Sequence, residues 1–508
     1  MHKPLIVQSD RTVLLEVDNP RFEQARDALL RFAELEKSPE YMHTYRITPV
    51  SLWNAASSGM TCRDILQELE ELSRYPVPPS LAVEIEGWLE RWGKLVLRRD
   101  REGRLLLESS DRELFSLITT GKKTKRYIHR VEHLRAQLME WSRGQIKREC
   151  IDLGFPVVDR AGFIHGEPLA FRCRKELQLR PYQHEAVSVF LNYERTGGSG
   201  IVVLPCGAGK TVVGMGVMER IGERTLILVT SVTAARQWKR ELLEKTSLDD
   251  RDIGEYSGER KNVRPVTVAT YQILTYRKNK GGDFQHLRAL NDQGWGLVIY
   301  DEVHLLPAPV FRFSSEVQGT RRLGLTATLV REDGRERDVF SLIGPKVYDV
   351  PWKILEKQGW IAGVTCTEVR VELSDRERAE YLQENRRERF KRASLNPSKI
   401  PVVENLLQRH RGDSVLVIGQ YISQLEELAS RFGFALITGK TDNSTRERLY
   451  DRFRRGEIRT LVVSKVANFA VDLPDASVAV QVSGTFGSRQ EEAQRLGRIL
   501  RPREQKSA

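Results

Sequence analysis

No run of about 18 consecutive apolar residues occurs anywhere in the 508-residue chain, so nothing in it reads as a membrane-spanning helix. The N-terminal stretch "MHKPLIVQSDRTVLLEVD" interrupts its apolar residues with acids and an arginine, which does not match the unbroken apolar centre of a signal peptide. A cytoplasmic protein with no membrane partner is the expectation. Cysteine is scarce: the five residues at 62, 150, 173, 206 and 366 are odd in number and form no CxxC pair, so neither a disulfide framework nor a zinc site is indicated. No short fixed-period repeat is visible. Acid is the minority charge, with 69 Asp+Glu against 81 Lys+Arg and a net charge of +12. Such an excess suits a polyanionic partner, because lysine and arginine that neutralise phosphates release counterions. Charge alone does not separate nucleic-acid binding from a solvated basic face.

The length exceeds what one core organises, and roughly two to four domains are expected. Residues 1–118 read as a mixed, mostly helical adaptor region, with apolar side chains at three- and four-residue spacing in "RFEQARDALLRFAELEKS" and "TCRDILQELEELSRYP". "SLWNAASSGMTCRD" reads as a helix, a glycine stop and a threonine N-cap for the next helix. In 119–172, "GKKTKRYIHRVEHLRAQLMEWSRGQIKRE" predicts a basic amphipathic helix, its first 28 residues holding nine Lys/Arg against two Glu. Short strands and turns follow it. From 173 to 350 the texture changes to β-branched strands alternating with helices: "GIVVLP", "RTLILVT", "VTVAT", "WGLVIYDE", "RRLGLTAT". This is the pattern of an α/β domain with a parallel sheet. After a charged interval at 372–398 it returns within 351–508 as "SVLVIGQ", "FALITGK", "IRTLVVSK" and "SVAVQVSG", so two α/β domains stand in tandem.

"LPCGAGKT", residues 204–211, lies between a buried strand and a helix. A phosphate-binding loop needs converging backbone N–H groups, with glycine where a Cβ would clash or φ must be positive, and the next helix adds its positive end. Cys206, Gly207, Ala208, Gly209, Lys210 and Thr211 supply that loop, with Lys210 for the β- and γ-phosphates and the Thr211 hydroxyl for Mg²⁺. The first glycine of the usual pattern is replaced by Leu204. "LVIYDEVH", 297–304, ends an apolar strand with Asp301, suited to holding Mg²⁺ through water, and Glu302, suited to polarising an attacking water. "GLTAT" adds the hydroxyls of Thr326 and Thr328 at the same sheet edge. Late in the chain, "SRQEEAQRLGRILRP" sets Gln494, Arg498 and Arg501 at helical spacing, an arginine-finger arrangement for charge on a γ-phosphoryl group.

The ordered set "LRPYQ", "LPCGAGKT", "DEVH", "TATLVRED", "SKVANFAVDLP" and "QRLGRILRP" resembles the superfamily-two helicases, and more narrowly the xeroderma pigmentosum group B (XPB) DNA helicases in their bacterial and archaeal form. The resemblance is strong from about 175 to 502 and looser over "YRITPVSLWNAASSGM". It implies two RecA-like domains with ATP and Mg²⁺ in the cleft between them, and a small thumb-like element near 372–398. It assigns adenine reading to Gln183 with Arg180 holding the loop, and nucleotide coupling to His304. It gives strand separation to Arg331, Glu332 and Asp333, and a place in the coupling loop to Asp472. Ala467 and Asn468 depart from the glycine and acid common in that loop. The segment within 119–172 resembles a damage-recognition element. The implied activity is 3′–5′ unwinding of forked or damaged duplex DNA in repair, with a nuclease as partner. A double-stranded DNA translocase that never separates strands and an ATP-gated scaffold remain open on the residues alone.

Overall fold

The computed structural model describes residues 2–37, 41–192, 198–276, 286, 289–290, 293–307, 310, 314–315, 317, 320–327, 336–361, 367–464 and 476–483. Two compact units are formed. The first comprises Met1–Val203, Thr211–Val229 and Leu242–Pro351, and the second Leu204–Lys210, Thr230–Glu241 and the described part of Trp352–Ala508.

The first unit opens with an antiparallel sheet of order β1-β2-β4-β3, built from β1 (Leu5–Val7), β2 (Thr12–Glu16), β3 (Glu34–Lys37) and β4 (Met42–Arg46). Helices α1 (Phe22–Phe32), α2 (Pro49–Ser57), α3 (Cys62–Leu72) and α4 (Pro79–Leu89) accompany it. The helix boundaries follow their caps. Thr48 accepts from the Ser51 N–H ahead of Pro49, Gly59 takes φ +92° after α2, and Thr61 accepts from the Asp64 N–H to start α3. Alternate strand residues and the inner stripes of the helices bury Leu5, Val13, Leu15, Leu29, Ile65 and Leu69 in one core that ends with Ile85 and its neighbours.

A second sheet, of order β7-β8-β6-β5-β9, follows: β5 (Leu95–Arg99), β6 (Leu105–Ser109), β7 (Ile128–Glu132), β8 (Arg135–Leu138) and β9 (Val157–Asp159). With α5 (Arg112–Thr120) and α6 (Arg143–Asp152) it closes a core running from Leu95 to Ala161. The expected boundary at 118 therefore falls inside this core, because Leu114, Phe115 and Ile118 pack against Tyr127, Ala136 and Leu138. The basic helix expected over 121–148 is corrected as well: that stretch is two short 3-10 turns, at Lys125–Tyr127 and Glu140–Ser142, the β7–β8 hairpin between them and the first part of α6. The β-branched and aromatic residues of "RYIHRVE" suit a strand, and alternating burial along β8 gives Ala136 and Leu138 to the core.

The third sheet has seven parallel strands in the order β12-β13-β11-β14-β15-β10-β16: β10 (Ser199–Val203), β11 (Thr225–Val229), β12 (Ile253–Tyr256), β13 (Val266–Thr270), β14 (Leu297–Asp301), β15 (Arg321–Thr326) and β16 (Lys346–Asp349). Every residue of β10, β11, β12, β13 and β15 is buried, which is why runs such as "TLILV" of β11 show no apolar/polar alternation, although β12 and β15 bury Glu255, Arg321 and Arg322 as well. Parallel pairing requires crossover segments. Among the described residues between strands are α7 (Pro181–Leu191) before the sheet, then α8 (Lys210–Ile221), α9 (Val232–Lys245), α10 (Tyr271–Thr275) and α11 (Glu336–Leu342).

Buried charge ties the second sheet to the third. Asp159, on the last position of β9, accepts from Arg143 Nε at 3.0 Å and Nη2 at 2.8 Å and from Lys147 Nζ at 3.1 Å. Arg322 of β15, 1% exposed, adds a third cation to this neighbourhood and donates to Ser199 Oγ and the Thr320 carbonyl. Burial alone would raise the Asp159 carboxyl, and the Arg143 and Lys147 charges hold it well below the usual carboxylate range. Burial pushes the Lys147 ammonium down to about 7 against the pull of Asp159. Beside this network Gly144 lies against residue 315, so close that a Cβ there would sit 2.6 Å from Ser315 Cα.

The second unit contains a four-stranded parallel sheet of order β18-β19-β17-β20, from β17 (Val415–Gly419), β18 (Ala435–Ile437), β19 (Thr460–Ser464) and β20 (Val478–Gln481). Its described helices are α12 (Trp352–Lys357), α13 (Asp375–Gln383), α14 (Arg386–Ser394), α15 (Lys399–Arg409), α16 (Ile422–Phe432) and α17 (Asn443–Arg454). All four strands expected in this region are present. Among the described residues no helix is long and apolar enough to cross a membrane.

Candidate nucleotide site

In an open parallel sheet, ligand chemistry collects beyond the carboxyl ends of the strands. β14, β15 and β10 are consecutive neighbours, with Asp301 opposite Leu325 and Thr326 opposite Val203. The chain leaves β10 directly into Leu204 and the phosphate-loop residues, and α8 begins at Lys210. Gly207 and Gly209 both take φ +79°, a conformation that side chains with a Cβ rarely adopt. Ala208 between them is buried and donates its N–H to the Pro205 carbonyl at 3.2 Å. The sequence between strand and helix thus has the turn chemistry that a backbone anion cradle requires.

At the end of β14 the backbone breaks sharply. Glu302 is one of three non-glycine residues in the described structure with positive φ, at 50°, and its N–H returns to Asp301 Oδ1 at 3.0 Å. A left-handed residue other than glycine costs about 1–3 kcal/mol and persists where the surroundings fix it. The turn puts two successive carboxylates at the end of the strand without continuing it. Tyr271, the first residue of α10, donates its hydroxyl to the Asp301 carbonyl at 2.8 Å and holds this corner from the end of β13, two strands away across β11. Sequence reasoning passed over Tyr271; its position directly after the strand "VTVAT" was the available signal.

His304 follows in a short 3-10 turn, Val303–Leu305, with its side chain fully buried. Its Nδ1 is hydrogen-bonded to Thr326 Oγ1 at 2.6 Å and lies 3.5 Å from Glu302 Oε2. One imidazole therefore joins the carboxylate turn of β14 to the hydroxyl at the end of β15. Upstream, Arg180 is the N-cap of α7 and donates its N–H to Gln183 Oε1 at 2.9 Å, while the Arg180 guanidinium reaches the Tyr182 hydroxyl at 3.3 Å. Gln183 is 4% exposed, so its amide is held rather than free to swing.

Of the remaining expected residues, Thr328, Arg331, Glu332, Asp333, Asp472, Gln494, Arg498 and Arg501 lie outside the described residues. The charged interval at 372–398 contains α13 and α14, joined by Arg392 to Glu380 and Glu384 and by Arg389 to the carbonyls of Tyr381 and Leu382. Much of its charge is thus spent internally.

Comparison with known proteins completes the assignment. The family model described as ERCC3/RAD25/XPB C-terminal helicase matches residues 355–508, that of the type III restriction enzyme res subunit matches 176–331, and that of a helicase conserved C-terminal domain matches 5–132. A "DNA 3′-5′ helicase XPB" of Mycobacterium tuberculosis is 53% identical over 502 residues, covering 98% of this chain and 90% of that protein. The protein of the same name from Kineococcus radiotolerans is also 53% identical, with 98% and 89% covered. A "General transcription and DNA repair factor IIH helicase/translocase subunit XPB" of Antonospora locustae is 34% identical, with 98% and 75% covered. Being 53% identical along 98% of its length to two proteins named DNA 3′-5′ helicase XPB, the protein belongs to the XPB family of DNA helicases.

Proposed function

We propose that this chain is an ATP-driven 3′–5′ DNA helicase acting in DNA repair. The observation that carries the reading is the convergence of the phosphate-loop strand, the Asp301–Glu302 turn and the His304–Thr326 bond on three adjacent parallel strands. In this reading Gly207 and Gly209 let backbone N–H groups approach the phosphates, and Lys210 adds a point charge. The Thr211 hydroxyl and the Asp301 carboxylate are hard oxygen donors that suit Mg²⁺, which when bound neutralises charge on the phosphoryl oxygens. Glu302 polarises the attacking water, from a turn whose left-handed backbone ends the strand. His304 passes the state of that carboxylate to Thr326. Gln183 reads the adenine edge. Arg498 and Arg501, with Gln494, are assigned the charge that develops on the transferred group.

DNA is held mainly through its backbone, since a moving enzyme gains nothing by reading base edges. Arg331, Glu332 and Asp333 are assigned to strand separation, Asp472 to the coupling loop, and a nuclease is the expected partner. The test is ATP hydrolysis and strand displacement on forked DNA with 3′ or 5′ tails, for the wild type, Lys210→Ala and Glu302→Gln. Stimulated hydrolysis and displacement of the 3′-tailed substrate in the wild type alone supports the reading. Hydrolysis stimulated by duplex without displacement on any substrate replaces it with translocation.

A further inference from the structure

We propose that β16 is a strut through which the seating of the N-terminal domain on the ATPase sheet sets nucleotide binding, with Asn54 and Tyr348 as its positioning residues. The proposal rests on the nucleotide site described above, and in particular on α7 carrying the adenine-reading Gln183.

Among the described residues β16 is the edge strand of the seven-stranded sheet and its one partner strand is β10, from which the chain passes into the phosphate loop. The pairing is close and irregular. Ile201 stands opposite Lys346 but Val202 stands opposite Tyr348, so the register shifts between them. A Cβ on Gly200 would lie 2.5 Å from Val347 Cγ1, and one on Gly344, at φ +141°, would lie 2.8 Å from the Gly200 nitrogen. Two glycines are thus what allow β16 to press against β10. Just beyond the strand, the Val350 N–H donates to the carbonyl of Val203, the last residue of β10.

An edge strand exposes a row of backbone groups, and here a helix from another domain covers part of it. Asn54 of α2, 7% exposed, accepts the Lys346 N–H on its Oδ1 at 2.8 Å. Lys346 Nζ reaches back to the Leu30 carbonyl of α1 at 3.0 Å and pairs with Asp349 at 2.8 Å. The neighbouring Trp53 is fully buried, with its ring 6.1 Å from Phe340 of α11 and its indole N–H on the Trp88 carbonyl. The N-terminal domain is therefore fastened to β16 by a half-buried hydrogen bond beside an apolar seat.

On the other side, the Tyr348 hydroxyl donates to Glu185 Oε2 at 2.9 Å. Glu185 lies two residues after Gln183 on α7. Burial, and then the hydrogen bond to Glu185, raise the Tyr348 phenol above its ordinary range, so it stays a donor. A four-residue strand thus touches the N-terminal domain, the strand that feeds the phosphate loop and the helix of the adenine site. A shift of the N-terminal domain, by a partner or by DNA, moves β16 first and the two nucleotide-binding elements with it.

The experiment measures steady-state ATPase with ATP and with GTP in the full chain, for Tyr348→Phe, Asn54→Ala, Glu185→Ala and Glu185→Gln. Tyr348→Phe removes one hydroxyl and no volume. The expected result is a three- to tenfold rise in KM for ATP with kcat within twofold, and a matching loss of ATP-over-GTP preference. Glu185→Ala should reproduce this, and Glu185→Gln, which still offers an oxygen to the hydroxyl, should restore the wild-type KM. Asn54→Ala should raise KM in the same way without touching α7. An unchanged KM in Tyr348→Phe, or equal losses in kcat and KM with no rescue by Glu185→Gln, overturns the strut. Gln183→Ala runs alongside: if it keeps the ATP preference, the adenine assignment fails by itself and the KM comparison decides the strut.

Discussion

Asp159→Asn probes what holds the second sheet to the ATPase sheet. The side chain keeps its size, but the one carboxylate among Arg143, Lys147 and Arg322 loses its charge. Removing one partner of a buried ion pair costs about 3–5 kcal/mol because the other charge is left uncompensated. With three cations sharing the site, the upper part of that range, about 4–5 kcal/mol, is expected. Lys147 offers partial relief, since it already titrates at about 7 in the folded protein against 10.5 in its unperturbed state. Between those two values the unfolded chain binds more protons than the folded one, so stability rises with pH across the window. The variant should therefore lose more at pH 6.5 than at pH 9. Global unfolding of a chain with several cores is not two-state, so the readout is hydrogen exchange of the α6 amides, residues 143–152. Adding Lys147→Met should recover part of the loss, and the double-mutant cycle measures how much. Protection of α6 within about 1 kcal/mol of wild type at both pH values would refute the claim that this network anchors the sheet.

Three further outcomes are expected. His304→Ala should lower the ratio of DNA-stimulated to unstimulated ATP turnover at least fivefold, because its bond to Thr326 joins the carboxylate turn after β14 to the hydroxyl at the end of β15; an unchanged ratio removes the histidine from the coupling. Gly144→Ala forces a methyl to within 2.6 Å of Ser315 backbone atoms, and overpacking of this kind costs about 1–3 kcal/mol. A lower melting temperature with faster exchange in α6 is the sign of it. Glu34 accepts from Thr48 Oγ1, and burial, then the nearby Glu336, push its carboxyl up to about 7. The folded state therefore binds the extra proton between pH 4.5 and 7, and stability falls as pH rises through that window. Glu34→Gln should abolish that slope and raise the melting temperature at pH 8, and a slope that persists would show that another group causes it.

Most strands of both α/β domains, though not β12 or β16, were legible because parallel strands buried on both faces leave unbroken β-branched runs, as in "TLILV" and "LVIYD". The α2–α3 connection was legible because its caps are local, made by residues three apart. The β7–β8 hairpin was not, since nine cations in one stretch look like a solvated helix face. Two of them, Arg143 and Lys147 of α6, are in fact buried against a carboxylate 16 and 12 residues further on, and one-dimensional charge patterns carry no sign of such a partner. β16 was missed for a related reason. "KVYD" is short and polar, and its place in the sheet depends on Gly200, Gly344 and Asn54 rather than on its own composition. In the nucleotide site, the residue types of the loop and the Asp-Glu pair announced themselves. The strained backbone of Glu302 and the hold of Tyr271 on Asp301 appear only once β11 brings β13 and β14 into one sheet.

The strand order has a consequence for how the protein is made. β10 emerges from the ribosome with every residue destined for burial, yet its two partners, β15 and β16, begin at Arg321 and Lys346. At roughly 5–20 residues per second of synthesis, the nascent chain carries this apolar strand unpaired for many seconds. Throughout that interval the five residues that later support the phosphate loop are a ready template for intermolecular pairing. Expression at reduced temperature or with added chaperones is where this topology should make itself felt, as a larger soluble yield.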